Sequence, residues 1–351
     1  MSKLFEPARF GELALKNRVV MAPMTRSRST DQAVPTPEMV DYYAQRAGAG
    51  LIIAEGTAPS ADGLGYCRTP GIYNAGQIAA WRKVTDAVHA AGGCIVLQLM
   101  HCGRVATHYN KPAGTDTVAP SALKAEVELF TDAVGMAPTD TPRELSTSEV
   151  YGVIEEYRQA AINARAAGFD GVELHGTSGY LPMQFMSENA NQRTDEFGGS
   201  VENRVRFPLL VLKAMAEAIG PGRVGFRFCP GNKFNDVSDS QPGATLQALL
   251  DGMADLDLAY LHIMKAHTRK VDAFAVARAH FKGPLIINDG FDRDSAAAMV
   301  DSDAADAVSF ARHYIANPNL VERFASRREL AEFDRKTLYS GGPEGYSDYP
   351  A

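Results

Sequence analysis

The chain lacks the features that mark disulfide-bonded, membrane-inserted and nucleic-acid-binding proteins. Only four cysteines occur in 351 residues, none in a Cys-x-x-Cys pair, which favours free thiols in a reducing compartment. No run of about 18 apolar residues and no apolar N-terminal signal core are present. The formal net charge of -7 disfavours a nucleic-acid partner. We therefore predict a soluble, cytoplasmic protein without a membrane or nucleic-acid partner.

Internal repeats and low-complexity linkers are also absent. A chain of 351 residues is long enough for two average domains, but a single α/β barrel with insertions fills this length as well. Since no linker divides the chain, we predict one domain that spans residues 1–351.

Short apolar runs alternate with helix-period segments along the chain, a pattern that predicts a parallel sheet. Eight such runs can be counted, which is the number of strands in a (β/α)8 TIM barrel. The predicted strands are VVMAPM (19–24), LIIAEGTA (51–58), CIVLQLM (94–100), GVELHG (171–176), VGFRFC (224–229), LAYLHI (258–263), LIINDG (285–290) and AVSFAR (307–312).

The segments between these runs carry helix-boundary signals. Polar N-cap residues precede the apolar stripes, a capping-box Glu follows Ser146, and glycines stand where the helices should end. The predicted N-caps are Thr36, Asn74, Ser146 and Ser200, and the predicted ends lie near Gly48, Gly92, Gly168 and Gly220.

Three segments fall outside the βα alternation. Two short alternating runs around Gly11 predict an N-terminal hairpin that caps the barrel bottom. The excursion from residue 103 to 145 follows the third strand and is long enough to predict an active-site wall or lid. Residues 337–351 either fold over the top of the barrel or form a tail, and the sequence favours neither.

Functional residues of a (β/α)8 barrel stand at the C-terminal ends of its strands. His175, Ser178 and Tyr180 follow one predicted strand within six residues, which makes them candidate catalytic residues, although a histidine in this position is often structural. The other polar or small strand-end residues are Pro23, Met24, Thr25, Glu55, Gly56, Thr57, Gln98, His101, Arg227, His262, Asp289, Gly290, Ala311 and Arg312.

This set disfavours two kinds of chemistry. It contains no histidine pair with carboxylates at ligand spacing, so we predict no metal site. No lysine ends a strand, which disfavours a Schiff-base aldolase. The set suits a flat ring with polar edges and a phosphate: Thr25 and Gln98 offer hydrogen bonds to ring heteroatoms, and Arg227 offers a cation. Small residues after strands seven and eight, with Arg312, match the usual barrel phosphate site.

Motifs along nearly the whole chain resemble the old yellow enzyme family of FMN-dependent ene-reductases, whose fold is the (β/α)8 barrel. The matching stretches are NRVVMAPMTRSR (17–28), IIAEGT (52–57), QLMHCGR (98–104), VAPSALKAE (118–126), FDGVELHGTSGYLPMQF (169–185), NQRTDEFGGSVENRVRF (191–207), VGFRF (224–228), ADAVSFARHYIANPNL (305–320) and EGYSDYP (344–350).

The resemblance implies that NADPH or NADH reduces bound FMN and that a small electron-poor alkene then accepts a hydride from flavin N5. His175 is expected to hold the substrate oxygen, and Tyr180 to protonate the α carbon. The implied FMN contacts are Pro23, Met24 and Thr25 along the ring, Gly56 and Gln98 at the ring, Arg227 beside N1 and O2, and Gly290, Phe291 and Arg312 at the phosphate and ribityl end.

Three residues depart from the family pattern. Ser178 stands where the family usually has His or Asn, and loss of an oxyanion donor there predicts slower or altered reduction. Asp289 and Ala311 replace small residues near the phosphate, which predicts weaker FMN retention. The segment from His262 to Phe281 is short for the family, which predicts an open rim near the sixth strand.

These departures keep a second class of function open, a barrel that retains FMN or substrate binding but serves as an isomerase or non-redox binding protein. A flavin-free barrel such as an aldolase is a third class. The sequence favours the ene-reductase. It does not distinguish NADPH from NADH, or a monomer from a homodimer.

Overall fold

A closed barrel of eight parallel strands forms the centre of the computed structural model, which describes residues 2–266, 268 and 270–350. The predicted (β/α)8 fold is confirmed, and each of the eight predicted apolar runs coincides with one barrel strand, although β12 extends one residue beyond its run to Met264. The barrel strands are β3 to β5 and β10 to β14, each paired with the next along the chain. The strands are β1 (Ala8–Phe10), β2 (Leu13–Leu15), β3 (Val19–Met21), β4 (Leu51–Thr57), β5 (Ile95–Leu99), β6 (Val118–Ala119), β7 (Glu128–Thr131), β8 (Gly135–Pro138), β9 (Arg143–Glu144), β10 (Gly171–His175), β11 (Val224–Phe228), β12 (Tyr260–Met264), β13 (Leu285–Asn288) and β14 (Ala307–Phe310).

The barrel register places polar residues of different strands side by side. Glu173 of β10 is opposite Gln98 of β5, and His175 is opposite Arg227 of β11. Arg227 is in turn opposite His262 of β12. Because neighbouring parallel strands point paired residues to the same face, these side chains share the barrel interior or its upper rim.

Helices cover the outside of the barrel, and most of the predicted N-caps act as expected. Asn74 and Ser146 form capping boxes, and the Ser200 side chain accepts a hydrogen bond from Asn203 N. Thr36 differs, because its hydroxyl donates to Arg28 O at 2.8 Å instead of capping the helix. The helices are α1 (Pro37–Gln45), α2 (Ala75–Ala90), α3 (Thr147–Ala166), α4 (Leu181–Met186), α5 (Val201–Ile219), α6 (Pro242–Met253), α7 (Ala273–His280), α8 (Arg293–Asp301), α9 (Arg312–Ala316) and α10 (Leu320–Ala325), with 3-10 turns at Lys3–Phe5, Ala61–Gly63, His108–Asn110, Pro221–Arg223 and Arg335–Thr337.

The N-terminal hairpin closes the bottom of the barrel, as predicted. Strands β1 and β2 are antiparallel, and their apolar side chains pack against barrel-interior residues such as Val20 and Ile286. Gly11 at the turn has φ 55°, and a Cβ there would lie 2.5 Å from Gly222 O. Glycine is therefore required where the hairpin meets the Pro221–Arg223 turn after α5.

The excursion between β5 and α3 is ordered into small sheets. Strand β6 pairs with β9, and β7 with β8 forms an antiparallel hairpin, here called the rim hairpin (residues 128–138). The sequence indicated a wall or lid here but not these strands, which are only two to four residues long.

Residues 337–350, the C-terminal segment, pack against the loop after β3. Of the two alternatives left open by the sequence, the segment folds back onto the barrel and does not form a free tail. Arg26 donates to Leu338 O at 3.0 Å and to Gly345 O at 2.8 Å. The fully buried ring of Tyr346 stacks on Tyr42 with 3.9 Å between centroids. Guanidinium donors satisfy carbonyls of a segment that has little regular structure of its own.

The predictions of an open rim near the sixth barrel strand and of no membrane segment are limited to the described residues. His267 and Arg269 lie outside the described residues, so the open rim between His262 and Phe281 stays a prediction. Within the described ranges, no helix is both long and apolar enough to cross a membrane.

Candidate active site

A hydrogen-bonded network fills the barrel beneath its upper rim. Gln98 Nε2 donates to Glu173 Oε1 at 2.8 Å, and His262 Nδ1 lies 2.9 Å from Glu173 Oε2. On its other side, His262 Nε2 lies 2.8 Å from Ser309 Oγ, which also accepts from Asn288 Nδ2 at 2.8 Å. His262, predicted as a strand-end residue, instead lies within β12 and is fully buried in this network.

The protonation state of His262 follows from its surroundings. Burial and the Arg227 charge lower its pKa, although Glu173 acts in the opposite direction. A neutral ring has one donor and one acceptor nitrogen. The arrangement is then complete if Nδ1–H donates to Glu173 and Nε2 accepts from the Ser309 hydroxyl.

Gln98 and Arg227 present complementary hydrogen-bonding groups above this network. Gln98 uses its amide nitrogen on Glu173, and its Oε1 has no partner among the described residues. Arg227 donates from Nη2 to Asn288 Oδ1 at 3.2 Å, whereas its buried Nε has no described partner. A free acceptor on β5 and a free cationic donor on β11, the two strands that flank β10, fit the alternating N–H and C=O edge of a flavin pyrimidine ring.

His175, the last residue of β10, is a neutral imidazole with unused hydrogen-bonding capacity. Its side chain is buried, and its Nδ1 has no partner among the described residues. Burial, followed by the positive charge of Arg227, lowers the pKa of His175 well below its usual value. The ring therefore stays neutral near pH 7 and offers one N–H donor.

Tyr180 lies beside His175, at the start of α4. The ring centroids are 5.1 Å apart, and the Tyr180 side chain is only 8% exposed. Burial, with the neighbouring Tyr66 phenol second, raises the pKa of Tyr180 well above 10. Tyr180 therefore keeps its proton until a strong base, such as a carbanion, removes it.

Two residues that sequence reasoning missed contact Tyr180 directly or through one hydrogen bond. The Tyr180 and Tyr66 hydroxyl oxygens are 3.1 Å apart, and Asn235 Nδ2 donates to Tyr66 Oη at 3.4 Å. Tyr66 lies in the loop after β4, and Asn235 in the loop after β11. Their position in loops after barrel strands was the only signal in the sequence.

Ser178 has a left-handed backbone, with φ 61°. Asn235 Nδ2 donates to Ser178 O at 2.9 Å and so links this loop to Tyr66. The Ser178 hydroxyl makes no hydrogen bond to any residue that the structure describes, so its side chain is not committed to a structural role.

The predicted ring contacts differ in what holds them. Pro23, Met24 and Thr25 follow β3 and are all half-buried, so each has surface available for a ligand. Gly56 lies within β4, where a Cβ would come within 2.6 Å of Met100 Sδ. The close approach of Met100 is thus sufficient to explain this glycine.

The predicted phosphate residues lie on an open surface at the ends of β13 and β14. Arg312 is exposed and makes no ion pair with any described residue, so it is available to an anion. Asp289 is exposed with φ 95°, and a Cβ at Gly290 would meet nothing within 4 Å. Ala311 has φ -97°, so its methyl group causes no backbone strain. Phe291 is half-buried and lies near the Phe274 ring.

A large cavity of about 950 Å³ opens above Tyr180. Its walls come from the loop after β3, the rim hairpin and the C-terminal segment. Phe130, Phe234 and Tyr339 line it and are 52%, 61% and 60% exposed. This aromatic mouth suits an apolar small molecule. Among the described residues, no cluster of His, Cys, Asp and Glu is arranged to hold a metal ion.

Comparisons with known proteins agree with this geometry. Residues 3–331 match the model of the NADH:flavin oxidoreductase / NADH oxidase family. The chain is similar to chanoclavine-I aldehyde reductase of Penicillium roqueforti, with 43% identity over 99% of this chain and 96% of that protein. A probable flavin mononucleotide-dependent alkene reductase of Leishmania infantum is 41% identical over 99% and 97%.

The solved structure of morphinone reductase in complex with tetrahydroNAD is also similar. It has a TM-score of 0.95 and 47% identity, over 99% of this chain and 97% of that one. The motif resemblance, the barrel and these matches agree over nearly the whole chain. The chain therefore belongs to the NADH:flavin oxidoreductase family, the old yellow enzyme family, and is an FMN-dependent NAD(P)H oxidoreductase of the ene-reductase type.

Proposed function

We propose that this enzyme reduces the C=C bond of α,β-unsaturated carbonyl or nitro compounds, with His175 and Tyr180 as catalytic residues. The observation that carries the proposal is a neutral imidazole with free hydrogen-bonding capacity beside a buried, protonated phenol. The first group can bind an oxygen without being charged, and the second can deliver a proton.

FMN, when bound, supplies a hydride that it obtains from NADPH or NADH. Gln98 Oε1 and Arg227 would hold the pyrimidine edge of the ring, and Pro23, Met24 and Thr25 would lie along it. Gly56 lies at the neighbouring strand end. Arg312 would bind the phosphate, next to Asp289, Gly290, Phe291 and Ala311 at the ends of strands β13 and β14.

His175 binds the carbonyl or nitro oxygen of the substrate through its N–H group. As the hydride arrives at the β carbon, negative charge develops on this oxygen, and a fixed donor in a buried site stabilises it without reorganisation. One such donor contributes roughly 100- to 1,000-fold to the rate. The neutral state of His175 keeps it from pairing with a solvent anion.

Tyr180 protonates the α carbon. Its raised pKa prevents loss of the proton to solvent, while the enolate that forms is a strong enough base to take it. Tyr66, at 3.1 Å, can then donate its hydroxyl hydrogen to the Tyr180 phenolate. At position 178 the family usually has His or Asn, and this chain has Ser178. The substrate oxygen therefore has one strong side-chain donor, His175, so we infer slower or altered reduction.

The cavity favours substrates with an apolar frame, because aromatic side chains surround its mouth. We further propose a cytoplasmic enzyme that is a monomer or homodimer. Cell fractionation and size-exclusion chromatography with light scattering would test these two statements.

Anaerobic mixing tests the proposed reaction. NADPH or NADH should bleach the flavin absorption, and cyclohexenone should restore it. The Tyr180→Phe variant should still bleach normally but reoxidise about 100-fold more slowly, since it lacks the general acid. Bleaching without reoxidation by any enone would support the alternative of a barrel that binds FMN but acts as an isomerase or binding protein.

A further inference from the structure

Glu173 is the centre of the network inside the barrel, two residues before His175 on β10. Its fully buried carboxylate accepts from Gln98 Nε2 at one oxygen, and its other oxygen lies 2.9 Å from His262 Nδ1. When His262 Nδ1 carries the ring proton and Nε2 accepts from the Ser309 hydroxyl, both Glu173 oxygens face a donor. Glu173 then acts only as an acceptor.

An acceptor at this position determines which way the Gln98 amide points. The terminal torsion of glutamine is broad and roughly two-fold, so the amide has little preference of its own. Because Glu173 only accepts, Gln98 must turn its nitrogen inward and its oxygen toward the open side. The acceptor that Gln98 presents at the barrel mouth is thus a consequence of Glu173.

Glu173 also opposes the charge of Arg227. Burial of Arg227 lowers the pKa of its guanidinium, and Glu173 is the first of the groups that act in the opposite direction. The side chains of His262, Ser309 and Asn288 link the two by hydrogen bonds of 2.8 to 3.2 Å. The barrel mouth therefore contains a cation whose charge is partly offset by a carboxylate below it.

We propose that Glu173 is a positioning residue for the flavin: it fixes Gln98 as a hydrogen-bond acceptor and limits the excess positive charge that Arg227 brings to the ring. This inference rests on the proposed placement of FMN. A reduced flavin carries additional negative charge, so unbalanced positive charge would favour the reduced over the oxidised cofactor. Glu173 thereby sets both the affinity for oxidised FMN and the reduction potential.

Glu173→Gln tests both parts with almost no change in volume. A glutamine has one acceptor and one donor end, so either Gln98 must turn or His262 must move its ring proton from Nδ1 to Nε2. The second change would require the Ser309 hydroxyl, which already accepts from Asn288 Nδ2, to accept from His262 as well. Gln98 faces the open side, so Gln98 turns and presents its NH2 group. Oxidised FMN should bind the apoprotein about tenfold more weakly in a fluorescence titration, as expected for one mismatched buried hydrogen bond.

The charge effect has a separate readout. In Glu173→Gln the ratio of reduced to oxidised FMN affinity should rise about fivefold or more, measured as a more positive potential by equilibration with a reference dye. Glu173→Asp keeps the charge but shortens the side chain. It should weaken the binding of oxidised FMN while leaving the reduction potential close to that of the wild type. If Glu173→Gln does not fold, Glu173→Asp still tests the effect on FMN binding.

Two further variants complete the design. Glu12→Gln removes an exposed carboxylate that pairs with Arg223 at the barrel bottom, and it should change neither readout. In a Gln98→Ala background, Glu173→Gln should no longer weaken oxidised FMN binding, because it acts through Gln98, but should still raise the potential.

Wild-type affinity and potential in a folded Glu173→Gln variant would overturn the inference while leaving the proposed function intact. Additive losses of affinity in the Gln98→Ala background would overturn the part that concerns Gln98. A wild-type apoprotein that does not bind FMN would instead refute the proposed function itself.

Discussion

Replacement of Tyr66 by phenylalanine should slow proton delivery to the substrate without affecting flavin reduction. The variant keeps the aromatic ring, which packs edge-on against Tyr180 with 6.1 Å between centroids, and removes only the hydroxyl group. In the wild type this hydroxyl is the group that can donate to the Tyr180 oxygen once Tyr180 has lost its proton. The Tyr180 phenolate would then remain in a buried site without that donor.

The expected loss of rate in Tyr66→Phe depends on the environment of the Tyr66 hydroxyl group. A hydrogen bond to a charged oxygen contributes about 1.5 to 3 kcal/mol, which corresponds to roughly 10- to 150-fold in rate. Tyr66 is half-buried, so water can enter the space of the lost hydroxyl and replace part of the interaction. We therefore expect about a tenfold loss, at the lower end of this range.

Anaerobic stopped-flow measurements separate the two half-reactions. Flavin bleaching by NADPH should proceed at the wild-type rate in Tyr66→Phe. Reoxidation by cyclohexenone should be slower, with a larger solvent deuterium isotope effect because proton transfer becomes more rate-limiting. Tyr151→Phe is the matched control, since Tyr151 is exposed and bonds to Glu196 on the outside of the barrel. Equal slowing of both half-reactions, or no slowing of reoxidation, would refute the reasoning.

Three other predictions concern side chains at or near the site. Ser178→Asn should raise turnover of cyclic enones by up to about 100-fold, because it adds a longer donor and asparagine tolerates the left-handed backbone; unchanged turnover would contradict this. Because burial lowers the pKa of His175 well below its usual value, enone binding should show no transition near pH 6.5; a transition there that His175→Asn removes would argue for a charged ring. Burial raises the pKa of Glu55 from 4.5 to about 7, so between these values the folded state binds a proton that the unfolded state does not. The free energy of unfolding should therefore fall by about 3 kcal/mol as the pH rises from 4.5 to 7. In urea titrations the fall should disappear in Glu55→Gln, and parallel curves for the two proteins would refute it.

The fold could be predicted because its signals are local. Each barrel strand is a short apolar run, and caps such as Asn74 and Ser146 lie next to the helices that they begin. The fold-back of the C-terminal segment was not predictable, because it depends on Arg26 and Tyr42, more than 300 residues earlier in the chain.

The candidate site divides in the same way. His175 and Tyr180 lie on one strand and the loop after it, so a pattern of neighbouring residues indicated them. The network around Glu173 joins side chains from different strands, and only the barrel register shows which of them meet. Glu55 was grouped with the strand-end residues, yet its carboxylate bonds to Tyr43 of α1, outside the barrel. Because β4 is buried on both faces, its sequence has no alternation of apolar and polar residues that would show to which face Glu55 points.

Because the C-terminal segment is synthesised last, its contacts are also the last to form during synthesis. All side chains proposed to hold FMN lie at or before Arg312, whereas Tyr339, which walls the substrate cavity, emerges later from the ribosome. Arg26 and Arg28 are made among the first residues, but most of their carbonyl partners lie in residues 337–345. A nascent barrel can thus form its cofactor pocket first, and the substrate cavity is completed when the final segment satisfies these two arginines.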